Sequence, residues 1–447
     1  MAIGLDKKIS LKSILLFTLP TMSTMVFLSL YTIVDGIFIS RCVGADALSA
    51  TNIVYPVINL VLGSSIMMAT GGSAIVATLL GEKKPEKARR IFTALTIVIF
   101  CVGVVIAVFG RIFIENIIYL AGSTEELYQY CYDYLSIVLY FVPIAILKTY
   151  FDYFLVTAGK PALGLINSII GGITNIILDY IFMVPLQLGV KGAALATEIG
   201  MVIPVIIGFS YFMYFSRKNG TLYFQKPLFQ FRTIINACTN GSSEMVTQVS
   251  TGITTYLFNI KMLEYIGVDG VGAITIVLYT QFLLTSIILG FSSGMAPLIS
   301  YNYGKNDVIH LKKLIKYGYR MIVVFCIFAF CLSEIISPII TAIFTDKTSS
   351  LYDVTVMGFR IYASAFLFDG FNIFSSAMFT AFSNGKISAL ISFMRSLGFF
   401  IPSIMILPLF LGVVGIWIVV PLAELFTLFI SIYFYKAYRI QYGYGRK

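Results

Sequence analysis

The chain is a succession of apolar runs, each long enough to cross ~30 Å of hydrocarbon at roughly 20 residues per helix. They fall near 14–40, 52–80, 91–114, 131–157, 163–186, 192–215, 233–260, 272–299, 317–343, 354–382, 388–411 and 413–435. Hydrocarbon offers no partner for a backbone N–H or C=O, so a spanning segment must be a helix or part of a closed barrel. Continuous apolar stretches without ten-residue alternation select the helix. The expectation is an all-α integral membrane protein with twelve transmembrane helices, its weakest boundary around Leu411–Val413. A charged fraction of 12% and a mean hydropathy of +0.92 exclude a soluble globular domain, whose charged share is about a quarter. The first run has no small-residue cleavage site and reads as a span rather than a removable signal peptide.

The formal charge of +10 would suggest a nucleic-acid partner in a soluble chain. Here the basic residues alternate with the spans, as residues retained on the cytoplasmic side do. One face receives Lys7, Lys8 and Lys12, then Lys83, Lys84, Lys87, Arg89 and Arg90, then Arg217, Lys218, Lys226 and Arg232. The same face receives Lys305, Lys312, Lys313, Lys316 and Arg320, and finally Lys436, Arg439, Arg446 and Lys447. The other has single residues such as Arg41, Arg111 and Lys347. This predicts a multi-pass plasma-membrane protein, in a bacterium the inner membrane, with both termini cytoplasmic. Insertion explains the charge, and nucleic acid is not expected as a partner. Six scattered Cys and a single His, His310, cannot assemble a Cys/His zinc site. No GxxxxGK[ST] loop is present to bind a nucleotide. No cofactor is implied.

The chain repeats itself. Residues 44–81 align without gaps on 267–304, a shift of 223, with 8 identities in 38 positions. These include Gly71 with Gly294 and Gly81 with Gly304, where a missing Cβ permits a turn or close helix contact. VPLQLGVKG (184–192) echoes LPLFLGVVG (407–415) at the same shift. Six spans per half is even, so the two lobes run parallel about an axis along the membrane normal, with a site between repeats. The lobes are 1–215 and 233–447, joined by a cytoplasmic connector at 216–232.

A carboxylate in mid-helix costs ~2.5–3.5 kcal/mol on insertion scales, so each one retained there needs a partner or a purpose. Asp35 lies deep in the first span, fifteen residues beyond Pro20, a helix-bending hinge candidate. Asn167, Gly171, Asn175 and Asp179 recur every four residues along one face of the fifth span, and Thr197 and Glu198 follow in the sixth. If Asp35 and Asp179 converge, desolvation and mutual repulsion let the pair hold a proton near neutral pH. The same Asp, Asn and Thr oxygens suit Na⁺ equally, so residue type does not choose the ion. The second half offers Glu244, Asp369 and Arg395, with Asp369 the strongest. Lys148 and Asp152, four apart in the fourth span, are expected to neutralise each other. Glu334 and Glu424 remain unassigned. The many Tyr, Phe and Met side chains can line a cavity for flat cations, although none is singled out.

In LPTMSTMVFLSLYTIVDGIFISRCVGADALSA, GGSAIVATLLGEKKPEKARR, GFSSGMAPLISYNYGK and AFSNGKISALISFMRSLGFF, the chain resembles the multidrug and toxic compound extrusion (MATE) family, in its MepA-like bacterial branch. The resemblance covers almost all twelve helices. It implies a V-shaped pair of six-helix lobes, a monomer in lipid that exports organic cations and other drugs in exchange for H⁺ or Na⁺. It also implies a first-lobe cation site, matched here by Pro20, Asp35, Asn175, Asp179 and Thr197. A second-lobe acid of another branch is matched by Asp369, whereas Glu244 lies nearer the start of its span than the glutamate in those relatives. The rival reading is a lipid-linked oligosaccharide flippase of the same architecture, which should carry a cationic cavity for pyrophosphate. Only Lys148, Arg360 and Arg395 lie within spans. An intramembrane enzyme would need a nucleophile and base, and no span contains a His.

Overall fold

The computed structural model describes residues 5, 9–344 and 347–445; Lys7, Lys8, Arg446 and Lys447 of the basic tails lie outside them. Twelve helical spans follow in chain order. The first six are α1 Leu11–Cys42, α2 Ala45–Gly81, α3 Pro85–Ile112, α4 Glu125–Thr157, α5 Pro161–Met183 and α6 Gly189–Ser210. The second six are α7 Ser242–Tyr265, α8 Val268–Gly304, α9 Val308–Phe344, the bent pair Ser350–Ala363 and Phe366–Ala381 (α10), the interrupted run Gly385–Phe393 and Phe400–Trp417 (α11), and α12 Val419–Tyr438. Among the described residues ten helices are long and apolar enough to span alone, and the α10 pair, bent by 48°, makes eleven. The remaining span, α7, is long enough but rich in Ser, Thr, Gln and Glu, so hydropathy alone understates it. Polar residues of that kind are retained in a membrane helix when neighbouring helices cover them.

The repeat is visible in the backbone. Gly44 and Gly267, one shift apart, both take positive φ (125° and 88°) at the turns into α2 and α8. Gly189 and Gly412 do the same at 60° and 56°, and Gly412 breaks the helical path of α11 where the weak boundary was expected. Only a residue without Cβ enters these conformations freely. The connector is held by the first lobe: Arg89 Nε donates to the Thr221 carbonyl at 2.9 Å and its NH1 to the Tyr223 hydroxyl at 2.9 Å. Phe224 then stacks on Phe92 at 5.3 Å.

The lobes meet through α1 and α2 on one side and α7 and α8 on the other. A Cβ on Gly81 would sit 2.0 Å from the Tyr301 carbonyl oxygen, and one on Gly304 2.1 Å from that of Thr78. Gly71 and Gly241 make a second reciprocal crossing, 1.9 Å from Ala237 O and 1.8 Å from Met67 O. Both crossings lie toward the face carrying the basic loops. At the opposite end, Gly36, Gly44 and Gly267 would meet nothing within 4 Å. The lobes are therefore closed backbone to backbone on the basic face. Outward-facing Val105, Val108, Phe109 and Ile112 of α3 are exposed, as an apolar surface bathed in acyl chains should be.

Candidate functional site

Glycines let three first-lobe helices approach closely enough to share a polar centre. A Cβ on Gly172 of α5 would lie 2.4 Å from the Phe27 ring of α1, and one on Gly171 2.9 Å from the Gly200 carbonyl of α6. This proximity brings Asn175 of α5 to Thr197 of α6, its Nδ2 donating to the Thr197 Oγ1 at 3.2 Å. Asp179, one turn further along α5, is fully buried. The Asp35 carboxyl on α1 faces that of Asp179 within reach of a shared proton, and Asn175 flanks Asp179. Asp35 Oδ1, both Asp179 oxygens and Asn175 Oδ1 are buried without a protein donor. Two carboxylates so close cannot both stay charged and unpartnered in a medium of low dielectric. A proton shared between them, or a cation, would satisfy these oxygens.

Pro20 sits within α1, which continues as one helix through it, and the Thr24 hydroxyl bonds the Pro20 carbonyl at 2.9 Å. The hinge candidate is therefore unbroken in this state. Glu198, unassigned from the sequence, is buried at the same level with Oε2 lacking a donor. Lys148 pairs with Asp152 at 2.8 Å. Leu28, Tyr31, Lys148, Ser168, Asn175 and Thr197 line a small cleft of about 20 Å³, room for about one water.

The second lobe is organised differently. Arg395 lies in the π-helical turn Met394–Gly398 that interrupts α11, an irregularity that re-aims side chains. Its Nε donates to Glu424 Oε1 at 2.9 Å, and its NH2 lies 2.9 Å from the same oxygen. The other Glu424 oxygen accepts from Asn372 Nδ2 at 2.7 Å, and Asn372 Oδ1 accepts from the Ser431 hydroxyl at 2.7 Å. Glu424, silent in the sequence, is thus the counter-ion of Arg395. Asp369 is buried with Oδ1 unpartnered, and Thr285 Oγ1 lies at 3.5 Å from Oδ2. Glu424 and Arg395 are the charges acting on it. Glu244 lies in the first turn of α7, in the neighbourhood of Tyr153 of α4 and of Arg395. Glu334 and Arg360 form a looser, more exposed pair at 3.8 Å. Among the described residues no three His, Cys, Asp or Glu side chains cluster to hold a metal ion, so any cation here would rely on amide and hydroxyl oxygens as well.

Fold and site together define a multi-pass membrane protein of two related six-helix lobes with its ionisable groups turned inward. The MatE family model matches residues 20–181 and 244–406, one match in each half, and the chain belongs to that family. A multidrug export protein MepA of Staphylococcus haemolyticus (strain JCSC1435) is 26% identical over 94% of this chain and 92% of its own. A crystal structure of a MATE protein in complex with MaL6 superposes with a TM-score of 0.92 at 19% identity, covering 98% of both chains. The outward-facing conformation of a multidrug resistance MATE family transporter of the MOP superfamily gives 0.91 at 21% identity, again over 98% of both. These two likenesses establish the fold.

Proposed function

We propose that this protein exports organic, often cationic, compounds across the plasma membrane in exchange for H⁺ or Na⁺. The observation that carries the reading is the Asp35–Asp179 pair, in which Asp179 is fully buried and both its oxygens and Asp35 Oδ1 are uncommitted. Substrate and coupling ion must favour different occupancies of the same carboxyls, so that binding one expels the other. Asp35 and Asp179 carry the ion, Asn175 and Thr197 orient it, and Pro20 lets α1 bend as occupancy changes. The likeness to a multidrug export protein, MepA, supports the export reading. Residues 1–215 and 233–447 act as the lobes and 216–232 as the connector. With the basic loops cytoplasmic, the glycine crossings close the cytoplasmic side. Asp369 is a second-lobe candidate for substrate or ion, Arg395 is held in place by Glu424, and Glu244 is a substrate candidate.

The flippase reading gains nothing from the polar groups. The three cations read from the sequence as lying within spans each face a carboxylate, Lys148 with Asp152, Arg360 with Glu334 and Arg395 with Glu424, so these three offer no free positive charge for a pyrophosphate. The test is ethidium binding to the detergent-solubilised protein, followed by addition of acid or Na⁺. Release by one of them supports exchange at a common site; a dye unaffected by both contradicts it.

A further inference from the structure

A cavity of about 190 Å³ opens between the lobes on the basic face, far roomier than the first-lobe cleft of about 20 Å³. The first half supplies Leu79 and Glu82 at the end of α2 and Lys87 and Ile91 at the start of α3. The second half supplies Thr233 of the helix Phe231–Asn240 and Ser383 between α10 and α11. Its floor is therefore apolar and its rim polar. Lys87 is exposed and has no carboxylate partner among the described residues. Arg90, three residues further along α3, has its Nε buried with no hydrogen-bond partner. Residues three apart share a helix face, so the two cations stand on one side of α3. A buried guanidinium N–H that donates to nothing is costly. The carboxylate of the lining is not free to compensate, because Glu82 is bound to Lys84 at 2.8 Å. Across residues 82–90, five basic side chains outnumber the acids Glu82 and Glu86.

We propose that this cavity binds the phosphate group of an anion, an anionic phospholipid headgroup or free phosphate, on Lys87 and Arg90, and that the bound group braces the lobes together on the basic face. Phosphate oxygens supply the acceptors that the two cations lack, in charge-assisted hydrogen bonds. Basic pockets between helices on the cytoplasmic side take lipid headgroups, and the apolar floor suits the glycerol end of a lipid. A zwitterionic headgroup brings its own ammonium, which Lys87 and Arg90 repel. The volume is below that of a drug-sized pocket and matches a headgroup. Since both lobes contribute walls, a ligand touching both favours the closed arrangement by mass action. The inference goes beyond the export reading and does not depend on it.

Dihexanoyl phosphatidylglycerol, dihexanoyl phosphatidylcholine and inorganic phosphate are each titrated at fixed ionic strength into the full-length protein in a neutral detergent. Two quantities are followed, the melting temperature and the maleimide labelling of Cys238, which lies on the helix that supplies Thr233. Phosphatidylglycerol should raise the melting temperature and slow Cys238 labelling by about threefold or more, whereas phosphatidylcholine should change neither. Lys87→Gln/Arg90→Gln should require about tenfold more phosphatidylglycerol for the same shift, the loss expected of charge-assisted hydrogen bonds. Lys313→Gln/Lys436→Gln removes as many charges from the same face away from the cavity and should leave the response unchanged. A response to phosphatidylglycerol without one to inorganic phosphate supports the site with lipid as the source; a response to inorganic phosphate supports it with the free ion. No response to either, equal responses to the two lipids, or equal weakening by the two double variants would overturn the inference. The lipid comparison needs no variant to fold, and none of these outcomes bears on efflux.

Discussion

At the residue scale, the decisive fact about Asp35 and Asp179 is what their oxygens lack. Asp179→Asn supplies an amide that can donate to the Asp35 carboxylate, so the pair becomes satisfied without an ion. The variant should remain folded in detergent, with a melting temperature equal to or above that of the unaltered protein, and lose ion-dependent dye release. In the second lobe the logic reverses, because Glu424 already satisfies Arg395. Glu424→Ala leaves a buried guanidinium unpaired and should cost about 3–5 kcal/mol, read as a lower melting temperature. Combining it with Arg395→Met should recover part of the loss; a double variant as unstable as the sum of the singles would contradict the pairing. Asp35, Asn175 and Asp179 were legible because charge is rare in apolar runs and a four-residue period survives in sequence. Glu424 was not, since its partner lies 29 residues away on another helix and no periodicity links them. Glu198 differs from a solvated glutamate only by its burial, which sequence does not print.

Among the elements, the spans were readable from hydropathy, and the two places where it fell short have physical causes. In α7 Ser, Thr, Gln and Glu dilute the apolar residues, and of these polar side chains Ser243 and Ser250 are buried; the π turn of α11 has no compositional signature. The shared glycines Gly71 and Gly81 were expected to mark turns or close contacts, and they prove to be contacts between the lobes. Gly71→Val would drive a side chain into the Ala237 carbonyl, 1.9 Å from its Cβ, and should part α2 from Phe231–Asn240 on the basic face. Cys238 on that helix, half-buried, is a native reporter. Its maleimide labelling, resolved from the other thiols by peptide mass spectrometry, should rise severalfold, and an unchanged rate would mean the crossing does not hold the face closed. A smaller effect belongs to the start of α9. Asp307 Oδ1 accepts from His310 N at 3.1 Å and Oδ2 meets its ring Nδ1 at 2.7 Å. Burial works against ionisation there, yet the His310 backbone and ring, aided by Lys305, outweigh it and hold the Asp307 carboxyl below its ordinary value. The cap is therefore fully stabilising above an unfolded carboxyl pKa of ~4 and is lost as pH falls through the lower folded value. Asp307→Ala should cost about 1 kcal/mol at neutral pH, and the difference in melting temperature should shrink in acid.

For the whole molecule, duplication sets two related lobes against each other, closed backbone to backbone on the basic face. The lobes share backbone turns at a constant shift yet differ in chemistry: the first lobe leaves carboxyl oxygens open, whereas the second ties Arg395 to a satisfied network. That asymmetry was apparent in sequence, since Phe258 and Pro402 stand where the repeat would place acids. Which face is closed was not, because closure depends on helix crossings that no local pattern encodes. On the exchange proposed above, a sealed basic face with an unsatisfied acid pair is the state from which an entering ion would displace substrate outward. The direct test is ethidium efflux from proteoliposomes with a pH gradient and a Na⁺ gradient imposed separately, comparing the unaltered protein with Asp35→Asn present at the same level. One gradient should drive efflux by the unaltered protein, and Asp35→Asn should abolish that response; gradient-driven efflux by Asp35→Asn at the unaltered rate would contradict the coupling assigned to this pair.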